Sequence, residues 1–185
     1  MEDEKIIELY WSRNEEALVQ TNRKYGSFCY GIAHNILKNE EDAEECVNDT
    51  WLKVWLVIPP KRPEFFQAFI GKITRNLSLD RYRKSRAAKR GGKTLDLIFD
   101  ELEECIAGQS MDTQTDSMAI TGALSQFLAG LSHDARIIFV RRYWYADSVI
   151  QIAERYGMSE SKVKSALMRS RKKLKFFLEK EGITV

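Results

Sequence analysis

The sequence is poor in chain breakers, cysteine and long apolar runs. It has 185 residues, with three prolines, ten glycines and three cysteines. So few prolines and glycines leave long stretches of Glu, Lys, Arg, Ala and Leu uninterrupted, which favours helices over strands. Cys29, Cys46 and Cys105 are odd in number, far apart and in no CxxC pair. That argues against a disulfide framework and against a zinc site, and a reducing cytoplasm is the expected location. Cys29 and Cys46 read as core side chains on helices. No apolar run approaches the ~18 residues of a membrane span. The N-terminus, MEDEKIIELYW, is acidic where a secretory signal would be basic. Stable membrane insertion is not expected. His34 and His133 stand alone, without a Gly-rich phosphate loop or a Ser/His/Asp arrangement. Asp42, Glu44, Glu45 and Asp49 superficially suggest a metal site, but without histidine support they fit a protein-binding face better. Neither enzymatic activity nor a metal or cofactor is expected.

What is abundant is charge, unevenly placed. The net charge is only +2, yet residues 1–60 carry 6 basic and 12 acidic side chains, and residues 61–93 carry 11 and 2. Residues 94–120 carry 7 acidic and no basic ones, whereas residues 136–180 carry 12 basic and 4 acidic. Two basic blocks separated by an acidic one suggest two contacts with nucleic acid.

Apolar spacing then divides the chain. Leu18, Tyr25, Phe28, Cys29, Ile32 and Ile36 mark one helix face. Asn39 and the acids after it start a second helix with Ala43, Cys46, Val47, Thr50, Trp51, Val54 and Ile58, which Pro59-Pro60 ends. A third helix after Pro63 buries Phe66, Phe69, Ile70, Ile73 and Leu77 and runs on into a basic stretch. Phe65, Phe66 and Tyr82 read as core aromatics. Gly91-Gly92 closes a first domain, residues 1–92. Residues 93–117 read as an acidic flexible linker, with a short apolar anchor at Leu95, Leu97, Ile98 and Phe99. A second helical domain occupies residues 118–185, so the fold class is all-α in two small domains.

Residues 149–168, VIQIAERYGMSESKVKSALM, have the layout of a helix-turn-helix. Ala153 is small enough for a close crossing, Gly157 suits a left-handed helix end and Ser159 can cap the second helix. Val163 and Leu167 turn inward against Ile152 and Tyr156. Lys164, Ser165, Met168 and Arg169 then face outward, where Arg, Lys and Ser can read base edges. Lys162, Arg171, Lys172 and Lys173 are placed for phosphates.

Three stretches in this order resemble a known family: DAEECVNDTWLKVW (42–55), FIGKITRNLSLDRYRK (69–84) and VKSALMRSRKKL (163–174). They are similar to the polymerase-binding helix, the −10 reader and the −35 recognition helix of bacterial RNA polymerase sigma factors of the extracytoplasmic-function (ECF) type. The resemblance covers roughly residues 15–90 and 118–178 and implies a promoter-specificity factor. Its partners would be core RNA polymerase and promoter DNA, as duplex at −35 and as melted strand at −10. Asp42, Glu45, Asn48, Asp49 and Lys53 would bind the clamp coiled coil of the largest polymerase subunit. Lys72, Arg75, Asn76, Arg81, Arg83 and Lys84 would contact the −10 element, with the loop before Phe65 able to receive a splayed-out base. Lys162, Lys164, Ser165, Met168, Arg169, Arg171 and Lys172 would contact the −35 element. The family is often held inactive by an anti-sigma factor, commonly membrane-anchored, which nothing in this sequence identifies. Two departures stand out: Ala166 replaces a usual Arg or Lys, and Tyr143 to Ser148 lacks the usual Gly-Leu-Ser turn, with Asp147 or Ser148 left to cap the next helix. A stand-alone duplex-DNA regulator remains an alternative, although it has no need of residues 42–55.

Overall fold

A computed structural model of the chain describes residues 1–88, 98, 101 and 114–180. Among them are eight α-helices and no strand. The helices are α1 (Asp3–Trp11), α2 (Glu16–Leu37), α3 (Glu40–Val57), α4 (Phe66–Ala88), α5 (Gln114–Ala129), α6 (His133–Tyr143), α7 (Val149–Tyr156) and α8 (Glu160–Lys180). They fall into two compact units, Met1–Gly91 and Gly92–Val185.

In the first unit, α2, α3 and α4 pack on one another, and α1 lies on α2. The core joins Ile6 and Tyr10 of α1, Cys29 of α2, Val54 of α3, and Phe66 and Ile70 of α4. Apolar spacing does not predict α1. Only Ile6, Ile7 and Tyr10 anchor it, too few apolar positions for a periodicity. Asn39 caps α3 by accepting from the Asp42 amide at 2.8 Å. Where α3 meets α4 the contact is partly polar. The Thr50 and Ser78 hydroxyls donate to the carbonyls of Cys46 and Thr74 at 2.8 and 2.7 Å. Small, satisfied side chains of this kind let two helix backbones approach without stranding a polar group. Cys29 and Cys46 are buried in this unit, as free thiols.

In the second unit, α6 and α7 pack against α8, with α5 beside it. Ser148 and Gln151 form a reciprocal capping box at the start of α7, bonded at 2.8 and 3.1 Å. Gly157 ends that helix at φ 59°, and Ser159 accepts from the Lys162 amide at 3.2 Å to start α8. Ile152, Ala153, Val163 and Leu167 are buried as a helix-turn-helix requires, whereas Tyr156 is exposed. The turn without Gly-Leu-Ser works by other means. Ala146 takes the left-handed conformation at φ 56°. Asp147 turns inward and accepts from Arg141 Nε at 2.5 Å, which leaves the capping to Ser148.

Of the expected linker anchor, Ile98 is buried; Leu95, Leu97 and Phe99, like Gly91-Gly92 and Cys105, lie outside the described residues.

A Cβ added at Gly157 would meet no atom within 4 Å. Gly157→Ala should therefore cost only the backbone strain of a left-handed L-residue, ~1–2 kcal/mol. Amide exchange in α7 and α8 should accelerate accordingly, and unchanged protection would show that the turn does not depend on this conformation.

Candidate protein and nucleic-acid interfaces

The outward side of α3 carries Glu45, Asn48 and Lys53, all exposed, with Asp42 and Asp49 half-buried. Leu52 and Leu56, also exposed, continue the same side toward the helix end. Steps of three and four from Glu45 through Asn48 and Asp49 to Leu52 and Leu56 place these residues on one face. An acidic patch running into an apolar one suits a basic, partly apolar protein helix.

On α4, Lys72, Asn76, Arg83 and Lys84 are exposed. Arg83 stands 3.5 Å from Asp80 one turn back. Arg75 is half-buried, and burial, with the Arg83 charge nearby, holds its guanidinium below the ordinary value. Phe65, expected in the core, projects into solvent at the head of this helix, whereas Phe66 beside it is buried.

Arg81 does not stand with the other α4 cations. Its guanidinium turns onto α3, donating to Glu45 Oε2 at 2.5 Å and to Asp49 Oδ2 at 2.9 Å, with Asp42 Oδ1 at 3.6 Å. The hydrogen bond from Arg81 holds the Glu45 carboxyl below the usual carboxylate range, and the same bond raises the guanidinium above its ordinary value. One of the side chains expected on DNA is therefore paired with three of the residues expected on polymerase.

On α8, Lys162, Lys164, Ser165, Met168, Arg169 and Lys172 are exposed. Offsets of one, four and five put Lys164, Ser165, Met168 and Arg169 on a single face. Two of the lysines have nearby acids, Lys162 with Asp134 at 3.2 Å and Lys164 with Glu160 at 3.1 Å. Exposed pairs of this kind contribute little and leave both lysines available to a phosphate. Ala166 is half-buried. Arg171 is different again, because it points into a cluster with Arg142, Tyr143 and Glu101. Burial pushes the Tyr143 phenol up to about 12. Charge counting did not reveal this cluster, since Glu101 lies 70 residues from Arg171.

Among the described residues no group of His, Cys, Asp and Glu could hold a metal ion. No described helix is long and apolar enough to cross a membrane.

Acidic face, basic helix and capped helix-turn-helix together define a two-part helical DNA-binding protein. Comparison with known families places it further. Sigma-70 region 2 matches residues 22–88, and Sigma-70 region 4 matches residues 121–174. The chain belongs to the sigma-70 family of RNA polymerase sigma factors, in its ECF group. It is similar to the ECF RNA polymerase sigma factor SigL of Mycobacterium tuberculosis, 28% identical over 165 residues, 87% of this chain and 88% of SigL. It is also similar to the ECF RNA polymerase sigma factor SigE of Mycolicibacterium smegmatis, 24% identical over 86% of this chain and 61% of SigE. Among solved structures, CnrH in complex with the cytosolic domain of CnrY aligns with a TM-score of 0.44 at 20% identity, covering 96% of this chain and 97% of CnrH. Sigma factors direct transcription by RNA polymerase, so polymerase and promoter DNA are the partners of the family.

The Arg81 contacts make a titration prediction. Glu45 is held ionised by Arg81, so this contribution is present above the unfolded carboxyl pKa and lost as pH falls through the lowered one. In Arg81→Gln the Glu45 carboxyl should titrate at higher pH, followed by carboxyl-carbon NMR. An unmoved titration would show that Arg81 does not set the charge of this face.

Proposed function

We propose that this protein binds core RNA polymerase in the cytoplasm through the outer face of α3 and directs it to promoters with two recognition elements. The −35 element is read as duplex by Lys164, Ser165, Met168 and Arg169 of α8, with Lys162 and Lys172 on phosphates. The −10 element is held as a melted strand by Lys72, Asn76, Arg83 and Lys84 of α4, with Arg75 behind them. Preferential binding of the unpaired strand favours the open promoter without any chemical step, because stacking or a pocket returns ~1–3 kcal/mol per base against the cost of unstacking. Exposed Phe65, at the head of α4, is available to stack on such a base.

The observation that carries this reading is the four-residue exposed face on a recognition helix whose partner helix is capped at both ends. The acidic and apolar face of α3 adds the part that a stand-alone regulator would not need. The two units need a connector of adequate reach. Two elements one and a half to two turns apart lie ~50–70 Å from each other at ~34 Å per turn. About 25 residues average ~30 Å as a coil and reach ~80–90 Å extended, so simultaneous binding requires a stretched connector.

The test is transcription in vitro with core polymerase and fragmented host DNA, mapping RNA starts with and without the protein. Discrete new starts sharing two upstream elements are expected. Duplex binding by the protein alone, with no new starts, would instead mark a stand-alone regulator. Arg169→Ala should cost ~1–3 kcal/mol at the −35 element. An equal loss on scrambled duplex would make Arg169 a phosphate contact. Asn48→Ala should weaken binding to core polymerase by ~1 kcal/mol without altering thermal unfolding, and undiminished affinity would remove α3 from that interface.

A further inference from the structure

One carboxylate in the second unit, that of Glu101, lies between two arginines and a tyrosine. Arg142 embraces Glu101 side-on, Nη2 to Oε1 at 2.8 Å and Nε to Oε2 at 3.4 Å. Arg171 Nη1 reaches Oε2 at 3.3 Å, and the Tyr143 hydroxyl donates to the same oxygen at 3.1 Å. Arg171 also donates to the Tyr143 oxygen at 3.0 Å. Two guanidiniums and a phenol thus converge on the Glu101 carboxylate. The Arg142 side chain is only 10% exposed and that of Arg171 25%. Two like charges so poorly hydrated require an anion between them.

The two arginines belong to the folded body of the unit, on α6 and α8. Arg142 is fixed further by a bond from Nη1 to the Asp147 carbonyl at 3.2 Å. Glu101 comes from the acidic segment, with buried Ile98 three positions before it. Arginine pairs present the fork geometry that suits phosphate as well as carboxylate. Arg171 lies two turns after Lys164 and one turn after Met168 on α8, so it borders the face proposed to meet the duplex.

We propose that Arg142, Arg171 and Tyr143 form a binding site for a DNA-backbone phosphate, and that Glu101 fills this site in the free protein and competes with the duplex for it. The proposal rests on α8 being the duplex-binding helix. Exchange of Glu101 for phosphate replaces one anion by another, so the buried guanidiniums are never left unpaired.

The full-length protein tests this against a fluorescent duplex containing its −35 element, over a salt series. Glu101→Gln is compared with Glu104→Gln, which makes the same charge change on the same segment. Glu101→Gln should bind roughly three- to tenfold tighter than Glu104→Gln at ~0.1 M salt and steepen the salt slope by about one, the scale of one added phosphate contact. Equal binding by the two variants, or weaker binding by Glu101→Gln, overturns the competition. In the wild-type chain, which avoids any folding defect of the variant, adding duplex should speed amide exchange at residues 98–101 while slowing it in α8. Unchanged exchange at 98–101 with α8 protected overturns the proposal and leaves the reading of α8 intact. No protection of α8 and no duplex binding by any variant overturns both.

Discussion

Everything in the first unit follows from having to pack an acidic helix face beside a basic helix. On the proposed function the two surfaces serve opposite partners, protein for α3 and nucleic acid for α4, yet α3 and α4 are neighbours. Their backbones are held close by the Cys46–Ser78 contact at 3.2 Å and the Thr50–Thr74 contact at 3.3 Å. Ion pairs are not what holds them, since partly exposed pairs contribute little against a buried core that includes Val54, Phe66 and Ile70. The Arg81 pairs instead fix how charge is divided. By taking Glu45 and Asp49 into its fork, Arg81 orients the carboxylates of α3 and withdraws one cation from the row on α4. A basic partner helix that engaged Glu45 and Asp49 would compete with Arg81 for them. If α3 is the polymerase face, polymerase binding and the charge available to DNA are linked at one side chain.

The same economy appears at the end of α6, where Arg141 and Arg142 are adjacent and both must be neutralised. Arg141 is held by Asp147 and lies over the Tyr145 ring at 4.2 Å. These contacts explain the unusual turn. Tyr145 and Asp147 both contact Arg141, and Ala146 between them takes the left-handed conformation. Arg142 has a local partner only in a carbonyl, so its counter-charge must come from elsewhere. Glu101 supplies it from 41 residues away. A helix-turn-helix with a standard turn would need neither arrangement.

What could be read from the sequence, and what could not, divides along one physical line. Helices α2, α3 and α4 were legible because their buried faces repeat over five or more turns, as Cys29, Ile32 and Ile36 do. The helix-turn-helix was legible because Ala153, Gly157, Ser159 and Val163 answer local requirements of backbone and packing. Helix α1 was not, because nine residues offer too few periods. Tyr156 was placed inside by spacing alone, but α7 ends there and its ring lies beyond the packed turn. The candidate site was legible by helix and less so by residue. Spacing assigns a side chain to a face; it does not reveal a partner on another helix. Arg81 looked like its neighbours Arg83 and Lys84, and only its contacts with Glu45 and Asp49, 36 and 32 residues away, separate it from them.

That distinction bears on how binding energy would be distributed among the cations. A lysine such as Lys172 is exposed, and meeting a phosphate costs it little beyond side-chain order. Lys162 and Lys164 must first leave Asp134 and Glu160, but those pairs are exposed and weak. Arg81 and Arg171 are more deeply set, with side chains 23% and 25% exposed. Each must give up a charge-assisted bond before it can meet DNA. Such groups add little affinity in proportion to their charge, since what the phosphate gives is offset by what the carboxylate loses. They make binding conditional instead, because a partner that takes the carboxylate away changes the balance for both. On the proposed function, the exposed lysines would set how tightly the protein holds DNA in general, and the two caged arginines would make that hold depend on what takes their carboxylates.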